Sequence, residues 1–411
     1  MKYYNKCRHC KNKLDITFLD LGFAPPSNAY LKNEDLKKPE IHYPLKVMVC
    51  THCWLVQTID YTSESLLFNE EYAYFSSTSS SYLSHAKKFV EKIIPEFQIT
   101  KSSFVVEIAS NDGYLLKNFV KKNINCLGIE PTKSTANAAR KKGIQVIEDF
   151  FGVYLANKII SKHGLADFII GNNVYAHVPD INDFTIGLEK LLSNEGVITL
   201  EFNHIIPLIQ KCQFDTVYHE HFEYHSLHSA QTIFKSAGLI IWDVEEIDTH
   251  GGSLRIYGSK INSKRKISNR VKELIQKEKD LGILTRDFYS GFQAKCNKIK
   301  NEFLKFLIDS KIKGYSIGAY GAAAKANTLL NFSKVDNSLL PFVCDAAKSK
   351  QGKFLPGSHI PIIHPNELKN IFLDYLIIFP WNIVDEIMTT VRPLLKNNTK
   401  IVTFIPNLKI L

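Results

Sequence analysis

Val105-Val-Glu107-Ile-Ala109-Ser-Asn111-Asp-Gly113-Tyr114 is the stretch that decides the fold. Phe104–Ile108 is apolar and β-branched, as a buried strand requires. Small and polar residues, Ala109–Gly113, make a turn, and a helical pattern starts at Tyr114. Moving outward, the alternation repeats. Asn125–Glu130 is a second strand closed by an acid, Gly143–Glu148 a third, Asp167–Gly171 a fourth and Gly196–Phe202 a fifth, with helical segments between. Strands separated by helices imply a parallel, doubly wound α/β sheet. Upstream, Tyr82, Phe89, Ile93 and Ile94 follow a run of serines at helical spacing. Downstream, Ser253–Ser259 reads as one more strand, and residues 264–310 as a charged helical connector. A second alternating unit starts at Gly314: strand Tyr315–Ala319, a helix from Gly321 to Leu330, then strands at Leu340–Cys344, Tyr375–Phe379 and Lys400–Phe404.

The 411 residues suffice for two or three domains, and 45% hydrophobic with 22% charged residues excludes a disordered chain. No run of about 18 apolar residues exists, so no membrane span is expected. The N-terminus, Met1-Lys-Tyr-Tyr-Asn-Lys, has no apolar run of the secretory kind, so the cytoplasm is the expected compartment. There the eight cysteines are free or metal-bound. The net charge of 51 − 41 = +10 suits an anionic partner, but much of it lies in solvated lysine runs such as Ser263-Lys-Arg-Lys266.

Cys7-x2-Cys10 and Cys50-x2-Cys53 are two knuckles. Each lets two thiolates converge on one ion, and together they complete a tetrahedral all-thiolate site that favours zinc. A full site leaves no position for water, so its role is structural. His9 and His52 lie within the knuckles and are read as spare; Cys126, Cys212, Cys296 and Cys344 are read as buried apolar residues.

The polar residues at the ends of the first four strands carry the cofactor reading. A loop of small residues after the first strand, here Ala109, Asn111 and Gly113 behind Glu107, is where class I methyltransferases bring S-adenosylmethionine close to backbone. Glu130 ends the second strand, where a carboxylate accepts both ribose hydroxyls. Asp149 follows the third, within reach of an adenine amine. Asn173 follows the fourth, where substrate and cofactor meet. A dinucleotide-binding Rossmann unit is the rival reading of the same pattern.

With Tyr218-His-Glu-His221 and Gly321-Ala-Ala-Ala-Lys325-Ala-Asn327-Thr in place, these blocks together resemble the nucleotide-sugar C-methyltransferases of deoxysugar biosynthesis, along almost the whole chain. The family loop more often has glycine where Ala109 stands. The resemblance implies a zinc-binding segment (residues 1–70), a class I methyltransferase Rossmann-like core (71–260), and a helical connector with a C-terminal Rossmann-like domain (261–411). It implies S-adenosylmethionine as methyl donor, structural zinc, and a nucleotide-linked keto-sugar as partner, with no nucleic acid. It also implies His221 as the base, Tyr218 and Glu220 holding sugar or enolate, His177 beyond the fourth strand, and Tyr72 or Tyr74 from a segment folding over the pocket. Methylation at carbon next to a carbonyl needs a base near working pH and a donor for the developing oxyanion, which histidine and tyrosine supply. An extended backbone puts Tyr218 and Glu220 on one face; a helix makes Tyr218 and His221 neighbours.

Two features stay open at this level. Gly318-Ala-Tyr-Gly321 after a strand, with Asp345 ending the next, has the plan of an NAD site; resemblance instead has this unit hold the nucleotide sugar or close the pocket, with Lys325 or Lys350 near the diphosphate. Transfer to a sugar hydroxyl is the alternative reaction. A zinc-knuckle nucleic-acid binder is disfavoured, because aromatics are not interleaved with a basic stripe.

Overall fold

A computed structural model describes residues 5–59, 75–396 and 398–411. Tyr72 and Tyr74 lie outside the described residues. Among these residues no helix is long and apolar enough to cross a membrane.

The N-terminal segment is a β-meander: β1 (Ile16–Ala24), β2 (Tyr43–Val49) and β3 (Val56–Thr58), each antiparallel to the next. The knuckles sit at its open end, on either side of Leu14 and Val49.

The core sheet is built from β4 (Phe104–Ile108), β5 (Asn125–Ile129), β6 (Gln145–Ile147), β7 (Ala166–Asn172) and β8 (Leu192–Asn203), all paired in parallel. A two-residue strand, β9 (Glu223–Tyr224), leaves this unit and pairs with β3, so the N-terminal sheet is completed by the chain segment that carries the histidine cluster. Two further strands, β10 (Leu239–Ile247) and β11 (Ser253–Lys260), turn back antiparallel beyond β8. The sheet order is β10-β11-β8-β7-β4-β5-β6. Parallel pairing brings the C-terminal ends of β4, β5, β6 and β7 to one edge, which is where ligands bind in such sheets.

β4 is buried at all five positions, as a central strand of a sheet covered on both faces must be. The helix after it starts three residues later than Tyr114 and is short. Only Lys117–Val120 is α-helical; Asn118 and Phe119 bond three residues back, and Asn123 breaks the turn at φ +56°. The other helices keep their signals. Ser79 caps Ser80–Glu96 by accepting from Tyr82 N–H, and Asp180 caps Ile181–Leu191 by accepting from Asp183 N–H.

The charged connector resolves into helices Asn269–Asp280, Arg286–Tyr289 and Phe292–Ile312. The C-terminal sheet joins β12 (Ile317–Tyr320), β13 (Val343–Cys344), β14 (Ile362–Ile363), β15 (Tyr375–Ile378), β16 (Lys400–Thr403) and β17 (Lys409–Ile410) in the order β14-β13-β12-β15-β16-β17, parallel except for β17. One hydrophobic cluster runs through all three units: Phe18 of β1 stacks on Phe292 at 4.5 Å, and Phe303 of the same helix meets Phe404 at 4.7 Å. The units are therefore packed around a shared core rather than strung on linkers.

Candidate active site

At the ligand edge, the loop after β4 takes a left-handed backbone at Ala109 (φ +56°) and Asn111 (φ +48°), with Gly113 at +75°. An alanine in that region carries strain that glycine does not. A Cβ on Gly113 would lie 2.2 Å from Ile144 Cδ1, so the turn packs against the next crossover. The carboxylate of Glu130 ties two loops: one oxygen accepts from Asn111 N–H and the other from Thr132 N–H, both at 2.9 Å. The Asn111 side chain accepts from Ser76 N–H at 2.9 Å. Glu107 lies wholly buried behind the loop, and neither of its oxygens has a hydrogen-bond partner. Burial, with Asp112 and Glu130 close by, pushes its carboxyl well above the usual range. Burial likewise raises Glu130. Asp149 remains half-buried at the open side beyond β6, and its carboxylate accepts from Phe150 N–H at 2.8 Å. Asn173 closes β7 at φ +53°, and its amide donates to Tyr82 Oη at 2.9 Å. The buried amide of Asn172 and the hydroxyl of Ser110 also lack partners. A polar edge with buried hydrogen-bonding atoms left unfilled, and carboxylates just past the second and third strands, fits a nucleoside ligand.

Tyr218–His221 is neither strand nor helix. It is a β-turn closed by His221 N–H donating to Tyr218 C=O at 3.0 Å. The turn lays the Tyr218 ring against His221 at 4.0 Å between centroids and sends Glu220 and His219 elsewhere. His221 Nδ1 donates to Thr216 C=O at 2.8 Å, and His177 Nδ1 donates to Glu220 C=O at 2.7 Å. Both rings thus carry their proton on Nδ1 and keep Nε2 as the basic nitrogen. They stand 4.6 Å apart, edge to face. Burial, then the neighbouring His177, holds His221 well below the ordinary imidazole value; burial brings His177 down to about 4. Glu220 accepts from Asn28 Nδ2 at 3.0 Å and is raised by burial. His219 points at Tyr43 C=O of β2, away from His221.

His225 and His228 leave the cluster altogether. His225 is buried between Tyr175 (4.7 Å) and Phe202 (5.1 Å), and neither ring nitrogen has a partner. Burial lowers it to about 3, so it is neutral in the fold and takes a proton near pH 6.5 when unfolded. Its contribution to stability is complete above pH 6.5 and drains as pH falls towards 3. His225→Phe is therefore expected to stabilise the fold and raise the thermal midpoint, with a larger gain at pH 5.5 than at 7.5; the stability difference grows by at most about 1.4 kcal/mol per pH unit below 6.5. An equal effect at both pH values contradicts the assignment.

Several residues of this site carried no signal of their own. His250 sits at φ +54° between β10 and β11 and approaches Asn173 Nδ2 at 3.2 Å. Glu201 of β8 accepts from Arg255 at 2.8 Å and from Thr249 at 3.0 Å, and His85 lies 3.0 Å from it. Burial works against its charge, yet His85 and Arg255 hold it down to about 2. The C-terminal unit supplies Lys325, Trp381 and Asn382. Trp381 Nε1 donates to Asp215 Oδ2 at 2.7 Å, and Gly251 is bare because a Cβ there would lie 2.4 Å from the Trp381 ring. The turn at Gly321 is covered: Ala322 C=O accepts from Tyr30 Oη at 2.6 Å and from Lys350 Nζ at 2.8 Å.

The sulfurs of Cys7, Cys10, Cys50 and Cys53 lie within 4.8 Å of one another, with 3.5 Å between Cys7 and Cys53 and between Cys10 and Cys50. A tetrahedral zinc with sulfur at about 2.3 Å spaces its ligands about 3.8 Å apart, so the set fits zinc. Gln57 Nε2 donates to the Cys7 sulfur at 3.2 Å. His9 is bound instead to Asn182, at 2.7 Å. Cys126, Cys212, Cys296 and Cys344 are buried thiols.

Three family models match consecutive parts of the chain: a zinc binding domain over residues 7–68, a methyltransferase domain over 82–244, and a C-methyltransferase C-terminal domain over 248–406. The C-methyltransferase NovU of Streptomyces niveus is 30% identical over 407 residues, covering 99% of this chain and 97% of that protein. Among solved structures, a magnesium protoporphyrin IX methyltransferase from Synechocystis with bound SAM matches 44% of this chain and 79% of its own, at 13% identity and a TM-score of 0.34. An S-adenosylmethionine-dependent methyltransferase from Clostridium acetobutylicum matches 43% and 92%, at 12% identity and a TM-score of 0.36. Full-length likeness at that identity, with three domain matches in order, makes this chain a member of the S-adenosylmethionine-dependent C-methyltransferase family with a zinc-binding N-terminal segment.

Proposed function

We propose that the protein transfers the methyl group of S-adenosylmethionine to a ring carbon beside the carbonyl of a nucleotide-linked keto-deoxysugar, through an enolate formed by His221. The observation that carries this reading is the placement of a neutral imidazole, with its tautomer set by Thr216 C=O, in a cleft that also contains His177, Tyr218 and the end of β7. Tyr218, His177, Asn173 and His250 keep partial exposure although protein surrounds them, as groups lining an internal cleft do. In this reading the division of labour follows segments 1–70, 71–260 and 261–411.

Glu107, Ala109, Asn111, Gly113, Glu130 and Asp149 hold the nucleoside of the methyl donor, and Asn173 borders its reactive end. S-adenosylmethionine supplies an electrophilic methyl on a sulfonium. His221 Nε2 takes the ring proton, Glu220 and Tyr218 hold the sugar, and His177 keeps the pocket free of a second cation beside the sulfonium. The enolate carbon then bonds to the methyl carbon as the carbon–sulfur bond breaks, leaving S-adenosylhomocysteine and a restored ketone.

Glu130→Ala is expected to weaken S-adenosylmethionine binding by about tenfold or more, because it removes a ribose acceptor and releases the Asn111 loop. Calorimetric titration measures it, and an unchanged dissociation constant removes the assignment. The reading as a whole is tested with a panel of thymidine, uridine and guanosine diphosphate 4-keto-6-deoxyhexoses. Mass spectrometry is expected to find one product heavier by a methyl group, and incubation in deuterated water without donor should exchange the ring hydrogen. A methylated product formed with no such exchange argues for oxygen as the acceptor.

A further inference from the structure

Lys325 lies in the first turn of the helix Ala324–Ser333, and its side chain turns to Asn382 and Trp381. Its Nζ donates to Asn382 Oδ1 at 2.8 Å and lies 4.4 Å from the Trp381 ring centroid. Among the described residues it joins no ion pair. Asp215 is the acid on this side, but its Oδ2 is held by Trp381 Nε1 and burial brings its carboxyl up to about 6. The same helix is pinned to the histidine loop, because Thr328 Oγ1 donates to Val217 C=O at 2.8 Å, one residue after the carbonyl that orients His221. On the other side Trp381 packs on Gly251, next to His250. Lys325 is thus wedged between the His221 and His250 loops, which face it with neutral imidazoles. A buried cation costs several kcal/mol unless an anion meets it; Asp215 attracts Lys325, but no described residue forms a salt bridge with it.

We infer that the Lys325 ammonium is the donor that receives the sugar oxygen when it becomes an enolate. The inference rests on the C-methylation reading above. When His221 Nε2 takes the ring proton, the carbon–hydrogen pair moves into the ring and the carbonyl pair moves onto oxygen. That oxygen gains a full charge beside an ammonium with hydrogens to spare. When the enolate carbon takes the methyl group, the pair returns, the ketone reforms and Lys325 is unchanged. A donor aimed where charge develops acts on the rate and not on ground-state binding.

The test uses the full-length holoenzyme and the keto-sugar that the wild type methylates in the panel. Lys325→Met, Lys325→Arg and Asn382→Ala are compared by ring-hydrogen exchange in deuterated water, by turnover, and by KM. Lys325→Met removes a buried charge that forms no salt bridge, so its thermal midpoint should stay close to the wild type. Its exchange and turnover should both fall by about 100-fold or more while KM changes less than about threefold, and Lys325→Arg should recover at least a tenth of the wild-type rate. A rise in KM above about tenfold with kcat preserved would make Lys325 a diphosphate holder and overturn the inference. Exchange in Lys325→Met equal to the wild type overturns it as well. Wild-type methylation without exchange overturns the enolate reading itself, independently of Lys325.

Discussion

His221→Asn should abolish turnover, by roughly 1,000-fold or more, while S-adenosylmethionine binding stays within about twofold of the wild type. Asparagine keeps a hydrogen-bond donor for Thr216 C=O but has no nitrogen that takes a proton at neutral pH. Burial and the neighbouring His177 keep the ring neutral in the resting enzyme. A base held so low is fully deprotonated at pH 7, and the enolate's own charge raises its proton affinity as the reaction proceeds. The sign of the pH dependence follows: kcat/KM should stay flat down to below pH 6.5, and its acid limb should lie lower than that of an ordinary histidine. Product formation followed by mass spectrometry tests the first statement, and a pH–rate profile the second. Turnover within tenfold of the wild type, or an acid limb at pH 7, removes His221 as the base.

Cys50→Ser is the other large effect. Structural zinc contributes its binding free energy to folding, so breaking a four-thiolate site costs several kcal/mol. A loss of about 4 kcal/mol lowers the thermal midpoint of a domain of this size by roughly 8–16 °C. The zinc content of the purified protein should fall towards zero, and soluble yield with it. The damage should reach the reaction. β3 lies between the zinc end and the histidine turn: Thr58 N–H donates to Phe222 C=O at 3.0 Å, and Thr58 Oγ1 lies 3.3 Å from His221 C=O. Loss of zinc therefore loosens the backbone that carries His221. Elemental analysis, a melting curve and residual turnover of whatever remains folded form the test. A variant that melts with the wild type argues against a structural quartet.

The core strands were legible because a buried parallel strand is a β-branched run, and because its ligand end breaks into acids and small residues. Phe104–Ile108 coincides with β4, and Glu130 and Asp149 stand just past β5 and β6. The cysteine spacing was legible for a similar reason, since two-residue gaps are what thiolates on one ion require. β1 and β10 were missed. Ile16–Ala24 and Leu239–Ile247 owe their extended form to antiparallel pairing with β2 and β11, a contact their own sequence does not announce. The helix after β4 was expected to start at Tyr114, but the α-helical turn begins only at Lys117, because the loop's left-handed residues run on into it. Tyr218–His221 could not be placed, since a β-turn has no periodicity to read.

Local pattern alone therefore determined that the core is a parallel α/β sheet and that Cys7, Cys10, Cys50 and Cys53 come together, because each is a matter of neighbours in sequence. The arrangement of Lys325, Trp381, His250 and His221 around one cleft was decided only by tertiary structure. Those side chains come from four separate segments between residues 221 and 381, and it is the apolar cluster running from Phe18 through Phe292 to Phe404 that sets their distances. Hydrophobic packing is non-directional, so its geometry emerges from the whole assembled volume and leaves no trace in any single stretch.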